Sequence, residues 1–500
     1  MAEVSVAAPS ALGGRLSLST RAGWTFCSVP ENIKNASWDA FVLFYYAQVL
    51  GLEGRLIALA LALILVTDAA IDPYVGSFSD GLRRAPLGRR HTLMVAALPP
   101  FVIGLVALFA PPAGLGQPGL FAWLLGFGLL ARVGISFYTV PAFAVGVELT
   151  RDPAERSLVV ALRNVGATLG ALVVPFVAFR LFFVPTAQFP RGQLNPAPYP
   201  GFGLTLAALA ALGMVIAIAG TWRRIRGLEA LERPAPPGEE SPASLPRLVR
   251  ELRDAFRVTP NVRRILALSF LVFIINATIN TLTLYLATYF WQFGPRETER
   301  LLVANTVGTF VGLLLARWPM RWLEKKRLMV LSILGYFGCG LLAIALPLAG
   351  LAPAAASAAL ALTVVALRFV GGACYGGYLV AAGTVTLDVS DEHEVNTGRP
   401  QQGLVMSFVF LGQQAAGAVA GVLAGIFLDV IDLPRGVPVE QMPFGKIQAL
   451  AGFVCAIIVA GSSLLAFAIR SFDVSHDKQA RLTAALEALK AGRRSAAQSR

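Results

Sequence analysis

Residues 76–95 read GSFSDGLRRAPLGRRHTLMV, and residues 312–330 read GLLLARWPMRWLEKKRLMV. Both stretches begin with glycine, contain a basic cluster and end in Leu-Met-Val, with displacements of 236 at the glycine and 235 at the last valine. A second pair, ARVGISFY at 131–138 and LRFVGGACY at 367–375, recurs at displacements of 236 and 237 for its Arg and Tyr. Two similarities at one displacement predict a duplicated six-helix unit.

The composition indicates that this repeat lies in a membrane. The chain has 500 residues, of which 56% are hydrophobic and 14% are charged, against about 25% charged residues in soluble domains. Because a spanning helix needs about 20 apolar residues, the chain can supply twelve, and the secreted, disordered and soluble multidomain classes are excluded. The net charge of +13 is expected in cytoplasmic loops, so we predict no nucleic-acid partner.

The apolar segments predict an all-α membrane protein with twelve transmembrane helices in two six-helix halves, related by a parallel pseudo-repeat. The predicted spans lie near 22–50, 54–79, 91–111, 118–147, 157–185, 200–222, 263–293, 299–319, 326–349, 354–387, 401–431 and 446–471. The corresponding domains are an N-terminal cytoplasmic segment (1–21), an N-terminal bundle (22–222), a linker with an amphipathic helix (223–262), a C-terminal bundle (263–471) and a tail (472–500).

The distribution of Lys and Arg predicts the orientation of the chain. The loops near 81–91, 148–157, 223–262 and 320–327 and the tail are rich in basic residues, whereas the opposite loops contain only Arg191, Arg296 and Arg435. Both termini are therefore expected in the cytoplasm. We predict an integral protein of the plasma (inner) membrane, a monomer in contact with the lipid bilayer.

The second span contains a pair of carboxylates, in the stretch TDAAIDPYVGSFSD at 67–80. Asp68 and Asp72 are four residues apart, so they share one helical face. Two carboxylates at low dielectric need a bound cation, a shared proton or a basic partner. Pro73 also frees the carbonyl of Ala69 for an ion or a water. The pair predicts a site for a coupling ion, and the alternative is a structural network with an arginine.

The loop after this span contains Asp80, Gly88 and Arg89 in the pattern GxxxDxxxxxxxGRR. It resembles the signature loop of the major facilitator superfamily, and the resemblance implies the twelve-helix major facilitator fold and a conformational latch in this loop. An ordinary basic loop is the alternative. Glu148 and Arg156 belong to a second cytoplasmic charged loop that resembles a charge relay, and we expect both to act in gating rather than to touch the substrate.

Three stretches resemble the glycoside–pentoside–hexuronide:cation symporter family. They are DAAIDPYVGSFSD, VPAFAVGVELTRDPAERS and LDVSDEHEVNTGRPQQG, and FYYAQVLGL in the first span also fits. The resemblance implies cation-coupled symport of a sugar or glycoside by alternating access. It also implies that Asp68 and Asp72 bind Na⁺ or H⁺ with help from the Ser136 hydroxyl. No other cofactor is expected.

The chain departs from this family at the positions that hold the sugar. Where the family has aspartates on helices one and four, this sequence has Asn32 and Thr139, and a lysine on helix eleven is replaced by Gln413 or Gln414. All of these side chains can hydrogen-bond a hydroxyl, but none is charged. We therefore still predict transport, but these substitutions argue against galactosides as the substrates.

Further polar and aromatic residues within the spans are candidates for substrate binding. Arg132 and Arg368 occupy equivalent places in the repeat and could hold an anionic group; bonding to helix carbonyls is the alternative. Tyr375 recurs with Arg368 in the repeat, as Tyr138 does with Arg132, and Trp38 could stack on a sugar. Lys34 is expected near the bilayer middle, paired either with Glu31 or with the carboxylates of the second span. Interfacial belts are expected for Trp24, Trp123 and Trp291.

Two other functional classes remain as alternatives. The same fold could carry a lysophospholipid or an organic anion, or the chain could be a non-transporting receptor or scaffold. The chain contains no GxxxxGK[ST] loop for ATP, and His91, His393 and His476 lack the spacing of metal ligands. We therefore predict no enzyme and no metal site, and a small-molecule substrate.

Overall fold

Helices form all the regular structure of the described residues in the computed structural model. The description covers residues 15–82, 86–150, 152–229, 257–397 and 402–470, with residues 482 and 485 of the tail. This helical architecture confirms the predicted fold class. The amphipathic helix expected in the linker lies outside the described residues.

The N-terminal half begins with a segmented helix. The elements of this half are α1 Leu18–Phe26, α2 Val29–Ser37, π1 Trp38–Val42, π2 Tyr45–Val49, α3 Gly54–Gly81, α4 Arg89–Ala96, α5 Leu98–Leu108, α6 Gln117–Glu148, α7 Pro153–Val177, π3 Ala178–Phe182 and α8 Tyr199–Glu229. The C-terminal half consists of α9 Pro260–Tyr285, π4 Leu286–Phe290, α10 Pro295–Leu315, α11 Lys325–Leu348, α12 Ala358–Thr397, α13 Gln402–Val430 and α14 Phe444–Arg470. Short 3₁₀ turns lie at Gly192–Leu194, Pro319–Arg321 and Val439–Gln441.

Ten helical segments among the described residues are long and apolar enough to cross a membrane, and Gly54–Thr67 in α3 is a shorter apolar helix. The first predicted span instead consists of the four pieces α1, α2, π1 and π2. Pro30 stands in the first turn of α2, where its missing N–H breaks no helical hydrogen bond. Gly51 follows π2 at a φ of 74°, a left-handed conformation that glycine adopts without strain.

The chain divides into two compact units. Unit 1 comprises Met1–Trp38, Leu63–Phe183 and Asn195–Leu245, and unit 2 comprises Asp39–Ala62, Val184–Leu194 and Pro246–Arg500, each described only for the residues given above. Residues 39–62 and 184–194 thus group with the C-terminal half, although the sequence assigned them to the N-terminal bundle. That residues 22–222 and 263–471 move as two bundles during transport stays a prediction.

Hydrogen bonds within unit 2 explain this grouping. Tyr285 Oη donates to the carbonyl of Leu43 over 3.3 Å, and Gln193 Nε2 lies 3.0 Å from Thr288 Oγ1. The backbone N–H of Gly54 donates to the Asp429 carboxylate over 2.9 Å, which satisfies one of the free donors at the start of α3.

Small residues bring helices close together within each unit. In unit 1, a Cβ built on Gly23 of α1 would lie 2.6 Å from the Cα of Gly220 in α8. In unit 2, a Cβ on Gly312 of α10 would overlap the backbone carbonyl of Ala373 in α12. Such close approach is typical of helix packing in membranes, where van der Waals contact replaces the hydrophobic effect between helices.

Two local features recur in both halves and agree with the duplicated sequence. After π2, the N–H of Leu52 donates to the carbonyl of Tyr46 over 2.8 Å, and after π4 the N–H of Phe293 donates to Ala287 over 2.7 Å. Both are wide turns at the end of the first long helical segment of a half. An ion pair between neighbouring helices also occurs in each half: Arg90 with Glu148 at 3.2 Å, and Lys325 with Asp388 at 2.8 Å.

Two of the tryptophans expected at the membrane interface are buried instead. Trp24 donates its Nε1–H to the carbonyl of Val159 over 2.7 Å, and Trp291 donates to Ala343 over 3.0 Å. Both indoles are almost fully covered. A buried indole needs a hydrogen-bond acceptor, and a helix carbonyl supplies one in each case, so the interfacial assignment of these two residues was wrong.

Candidate functional site

A small pocket lies within unit 1, between the first span, α6 and α7. Its lining residues are Trp24, Cys27, Ser28, Glu31, Thr139, Ala142, Phe143 and Arg163. The first four come from α1, α2 and the turn between them, the next three from α6, and Arg163 from α7. The turn at Cys27–Ser28 lets the first span contribute from two short helices.

An ion pair and an aromatic ring form the polar wall of the pocket. Arg163 Nη2 lies 3.8 Å from Glu31 Oε2, and both side chains are partly exposed. The guanidinium carbon of Arg163 also lies 4.0 Å from the ring centroid of Phe143, within the range of a cation–π interaction. Phe143 therefore holds the cation over its ring face while Glu31 supplies the opposite charge.

The hydroxyl groups around the pocket donate hydrogen bonds to backbone carbonyls. Thr139 Oγ1 donates to the carbonyl of Ile135 over 3.0 Å, and Ser28 Oγ donates to the carbonyl of Arg163 over 2.7 Å. Below them, the buried Tyr138 donates its Oη–H to the carbonyl of Cys27 over 3.1 Å. Thr139 therefore offers lone pairs to a ligand, and Glu31 is a charged acceptor.

The groups of this pocket have the chemistry that ligand hydroxyls need, around a space of about 10 Å³, the volume of about one water. The carboxylate and the threonine accept hydrogen bonds from hydroxyls, and the guanidinium donates them. Thr139, a predicted substrate residue, lies in the lining. Asn32 adjoins the pocket on α2, is half-buried, and donates its Nδ2–H to the carbonyl of Ser28 over 2.9 Å.

The residues predicted to bind the coupling ion lie on α3 and α6 of unit 1. Asp72 is half-buried on α3, and Ser136 is buried on α6. The side chain of Asp68, one turn before Asp72, lies outside the described residues. The coupling role of these three residues stays a prediction. No group of three or more His, Cys, Asp or Glu side chains that could hold a metal ion occurs among the described residues.

Lys34, Trp38 and Arg132 occupy the next turns of the first span and the facing part of α6. Lys34 is buried on α2, with 3% of its surface exposed. Trp38 is half-buried, and the guanidinium carbon of Arg132 lies 5.7 Å from its ring centroid. An arginine rather than a sugar therefore lies against this indole. Glu31, the partner considered for Lys34, pairs with Arg163.

Arg368 and Tyr375, on α12, lie in unit 2 in a different environment from that of Arg132. Arg368 is buried and donates an Nη2–H to Thr283 Oγ1 of α9. Tyr375 is half-buried, and its ring centroid lies 5.0 Å from that of Tyr336. The two arginines of the repeat are therefore not structurally equivalent. Gln414, the remaining substrate candidate, is exposed on α13.

Residues of the predicted latch form a charged network where α3, α4 and α6 of unit 1 meet. Glu148 Oε1, at the end of α6, lies 3.3 Å from Arg89 and 3.2 Å from Arg90, which begin α4. Arg90 also donates to Ser79 Oγ of α3 over 3.1 Å. One carboxylate thus joins three helices. Gly88 precedes α4 at a φ of 89°, in the region that favours glycine.

The other gating candidates lie near the same end. Arg156 donates its Nε–H to the carbonyl of Thr150 over 3.4 Å, within its own loop. The side chain of Asp80 lies outside the described residues. Glu155, one residue before Arg156, pairs with Arg21 over 3.1 Å and accepts the backbone N–H of Leu16 over 3.3 Å. This carboxylate therefore holds Leu16 and Arg21 against α7.

Sequence reasoning did not assign Trp24, Phe143 or Arg163 to the site. A signal existed for Arg163, because a basic residue inside the apolar segment 157–185 is costly in a membrane and marks a functional candidate. No such signal distinguishes Phe143 among the 31 phenylalanines of the chain. Its role depends on which face of α6 meets α7, which only the packing determines.

Comparison with known proteins places most of the chain, residues 23–475, among membrane transporters. The model of a family described as "MFS/sugar transport protein" matches residues 23–475. The chain is similar to an uncharacterized symporter of Bacillus subtilis (strain 168), with 23% identity over 428 residues that cover 83% of each protein. It is also similar, over a shorter stretch, to the sphingosine-1-phosphate transporter MFSD2B of Mus musculus, with 27% identity over 169 residues covering 32% of this chain and 34% of the relative.

The fold is shared with solved transporters of low sequence similarity. An inward-open structure of the xylose transporter XylE from E. coli superimposes with a TM-score of 0.56 and 16% identity, covering 95% of this chain and 98% of the transporter. At this identity the likeness concerns the fold alone, and it agrees with the helical architecture described above.

Proposed function

Because the chain belongs to the MFS/sugar transport protein family, we propose that it is a cation-coupled symporter of a sugar or glycoside. The family and its relatives make it a secondary transporter embedded in lipid, with a small-molecule substrate, and not an enzyme. The sugar, the coupling cation and the more specific glycoside–pentoside–hexuronide family are the proposed parts. So are the plasma membrane location, the cytoplasmic termini and the monomeric state.

The observation that supports a sugar as the substrate is the pocket of unit 1. Its walls combine the Glu31–Arg163 pair, the lone pairs of Thr139 and the ring of Phe143, which lies against Arg163. Sugars need both hydrogen-bond partners for hydroxyls and a flat apolar surface for their C–H groups.

The coupling rests on the acidic pair of the second span. In our proposal Na⁺ or H⁺ binds at Asp68 and Asp72, with the Ser136 hydroxyl as a further ligand. Binding of the cation raises the affinity for the sugar, and by linkage the sugar raises the affinity for the cation to the same extent. The downhill flow of the cation then drives accumulation of the sugar by alternating access, and the latch at Glu148 sets the rate of the conformational change.

A phosphorylated lipid is the second candidate, favoured by the similarity to the mouse transporter of sphingosine-1-phosphate. That similarity covers about a third of each protein, whereas the sugar-transport family model covers nearly the whole chain. Sugar transport is therefore the stronger proposal.

Thermal stability of the purified protein tests the proposal. A ligand that binds the folded state raises its apparent stability by about 2.7 kcal/mol at one hundred times its Kd. We expect a subset of sugars to stabilise the protein more strongly in the presence of Na⁺, or at a lower pH if the proton is the coupling ion. Stabilisation by sphingosine-1-phosphate but by no sugar would contradict sugar transport and favour the second candidate.

A further inference from the structure

The turn between α10 and α11 lies at the depth of the lipid headgroups. α10 has 21 residues and α11 has 24, so they are about 32 and about 36 Å long at about 1.5 Å per residue. Each can therefore cross a hydrocarbon core of about 30 Å. Residues 316–324 connect the two helices through the 3₁₀ turn Pro319–Arg321. The connection is short, so its side chains lie close to the headgroups.

Two tryptophans of this turn are exposed, at 52% for Trp318 and 84% for Trp322. Neither indole N–H has a hydrogen-bond acceptor among the described residues. Four other indoles donate their Nε1–H to a backbone carbonyl; they belong to Trp24, Trp123, Trp222 and Trp291. Exposed large aromatic side chains are typical of an interaction surface, and an indole with a free N–H fits a boundary between apolar and polar surroundings.

Basic residues accompany the two indoles. Residues 316–327 contain five Arg or Lys side chains and one acidic residue. Arg317 and Arg321 are exposed, and in the part of the chain that the structure describes neither guanidinium forms an ion pair or a hydrogen bond. Lys325 pairs with Asp388 over 2.8 Å, which holds the start of α11 against α12. The surface of the turn therefore presents positive charge and N–H donors, and few acceptors.

Exposed leucines continue this surface along the two helices. Leu314 and Leu315, in the last turn of α10, are 58% and 46% exposed, and Leu331, in the second turn of α11, is 57% exposed. From the turn into the spans the order is therefore cations and indoles first, and aliphatic side chains next. An anionic phospholipid has the same order, with its phosphate at the surface, an interfacial glycerol region below it and acyl chains in the core.

The aromatic pair is specific to the C-terminal copy of the repeat. At the displacement of 236, Trp318 and Trp322 correspond to Leu82 and Pro86. Both copies have a basic cluster at this turn, but only one adds exposed indoles to it. The duplicated fold therefore does not require tryptophan here, and the pair needs an explanation of its own.

We propose that the turn at 316–327 binds an anionic phospholipid of the surrounding bilayer. Arg317 and Arg321 bind the headgroup phosphate, since guanidinium groups pair with phosphate through charge-assisted hydrogen bonds. The indoles lie at the glycerol level, where tryptophan is favoured. A zwitterionic headgroup carries its own cation, which these arginines repel, so the site prefers a lipid of net negative charge. Its residues belong to unit 2 and none lines the pocket of unit 1, so the inference does not depend on the transported substrate.

Quenching of tryptophan fluorescence tests the proposal in the full-length protein. The protein is reconstituted into phosphatidylcholine vesicles with an increasing fraction of phosphatidylglycerol brominated on its acyl chains, or of phosphatidylcholine brominated in the same way. Bromine quenches an indole only on contact. We expect half-maximal quenching at an about tenfold lower fraction of the anionic lipid, because each basic residue near an anionic surface contributes about fivefold to binding. Trp318→Phe combined with Trp322→Phe should remove this difference.

Charge variants assign the preference to the two arginines. Arg317→Gln combined with Arg321→Gln keeps both indoles as reporters, and we expect it to make the two brominated lipids quench almost equally. Arg296→Gln combined with Arg300→Gln is the matched control. Arg296 and Arg300 are exposed at the opposite end of α10 and are also four residues apart. The control loses the same charge and should keep the wild-type preference.

Three results would overturn the inference. Equal quenching of the wild type by the two brominated lipids would show that the turn touches the bilayer without preference. A preference that survives the loss of Arg317 and Arg321, or that the control variant also loses, would show that these two arginines do not hold the headgroup. If poly-glutamate, but not phosphatidylglycerol, shields the indoles from a water-soluble quencher, the partner is an acidic protein segment instead of a lipid.

Discussion

The pair formed by Glu31 and Arg163 is the feature of the pocket that substitution tests most directly. Its separation is 3.8 Å, and Phe143 lies against the same guanidinium. We expect Glu31→Gln to weaken sugar binding by about tenfold, because it removes the charged acceptor and frees Arg163 to move. Titration of the purified protein with the sugar measures this, using the thermal stabilisation described above.

The control for this variant is another pair of the same charge type. Glu324 and Arg327 lie 3.5 Å apart on the surface of unit 2, with 42% and 71% of their side chains exposed. Glu324→Gln removes one negative charge from the protein as Glu31→Gln does, yet it should leave the affinity unchanged because exposed pairs contribute little. Equal losses in the two variants would contradict the assignment of the pocket.

Thr139 and Arg163 show which residues of the pocket could be predicted from the sequence and which could not. The resemblance to a family pointed to Thr139, and the structure places it in the pocket lining. Arg163 lies about three turns into α7, and its side chain reaches α2 and α6. Its partners are distant in sequence, so residue type and spacing could mark it as unusual without predicting what it contacts.

The close packing of α10 against α12 predicts a sharp effect of a single methyl group. A Cβ on Gly312 would overlap the carbonyl of Ala373, whereas a Cβ on Gly338 of α11 would have nothing within 4 Å. We expect Gly312→Ala to destabilise the protein by about 1–3 kcal/mol, the usual cost of overpacking. Gly338→Ala, the matched control, should be neutral or slightly stabilising, because alanine favours helix. Thermal unfolding in detergent gives both values, and equal stability of the two variants would show that α10 and α12 do not pack this closely.

The network that joins α3, α4 and α6 predicts a change in rate rather than in affinity. Glu148→Gln removes the charge that holds Arg89 and Arg90, and Glu148 is not among the residues that line the pocket. We expect slower turnover in proteoliposomes by several-fold, with the binding affinity for the sugar unchanged. A variant that binds the sugar less tightly but turns over at the wild-type rate per bound substrate would refute the latch.

The helical elements were largely predictable, and their interruptions were not. Long apolar stretches with Pro or Gly at their ends determine where spans begin and end, and the observed helices follow them. The first span was predicted as one helix, but it is divided after α1 and ends in two π-helical segments. Wide π turns depend on side-chain packing rather than on composition. The tryptophans Trp24 and Trp291 were misplaced for a related reason, since burial depends on neighbouring helices.

At the scale of the whole molecule, the two copies of the sequence repeat share structural features. The charged residues of the two halves nevertheless differ. Each half has a wide turn at the end of its first long helical segment and an ion pair between neighbouring helices. The chemistry of the charged residues differs, however: the acidic pair Asp68 and Asp72 lies in the N-terminal half, whereas the buried Arg368 of the C-terminal half donates to Thr283.

Accumulation of the sugar against its gradient tests the central claim of cation-coupled symport most directly. Purified wild-type protein, Asp72→Asn and the control Asp388→Asn are reconstituted into vesicles, and uptake is measured under an imposed Na⁺ or pH gradient and without one. Asp388 pairs with Lys325 at 2.8 Å, outside the proposed coupling site. We predict that the wild type and the control accumulate sugar only with a gradient, whereas Asp72→Asn equilibrates sugar but never concentrates it. Gradient-driven accumulation by Asp72→Asn at the wild-type level would contradict the account.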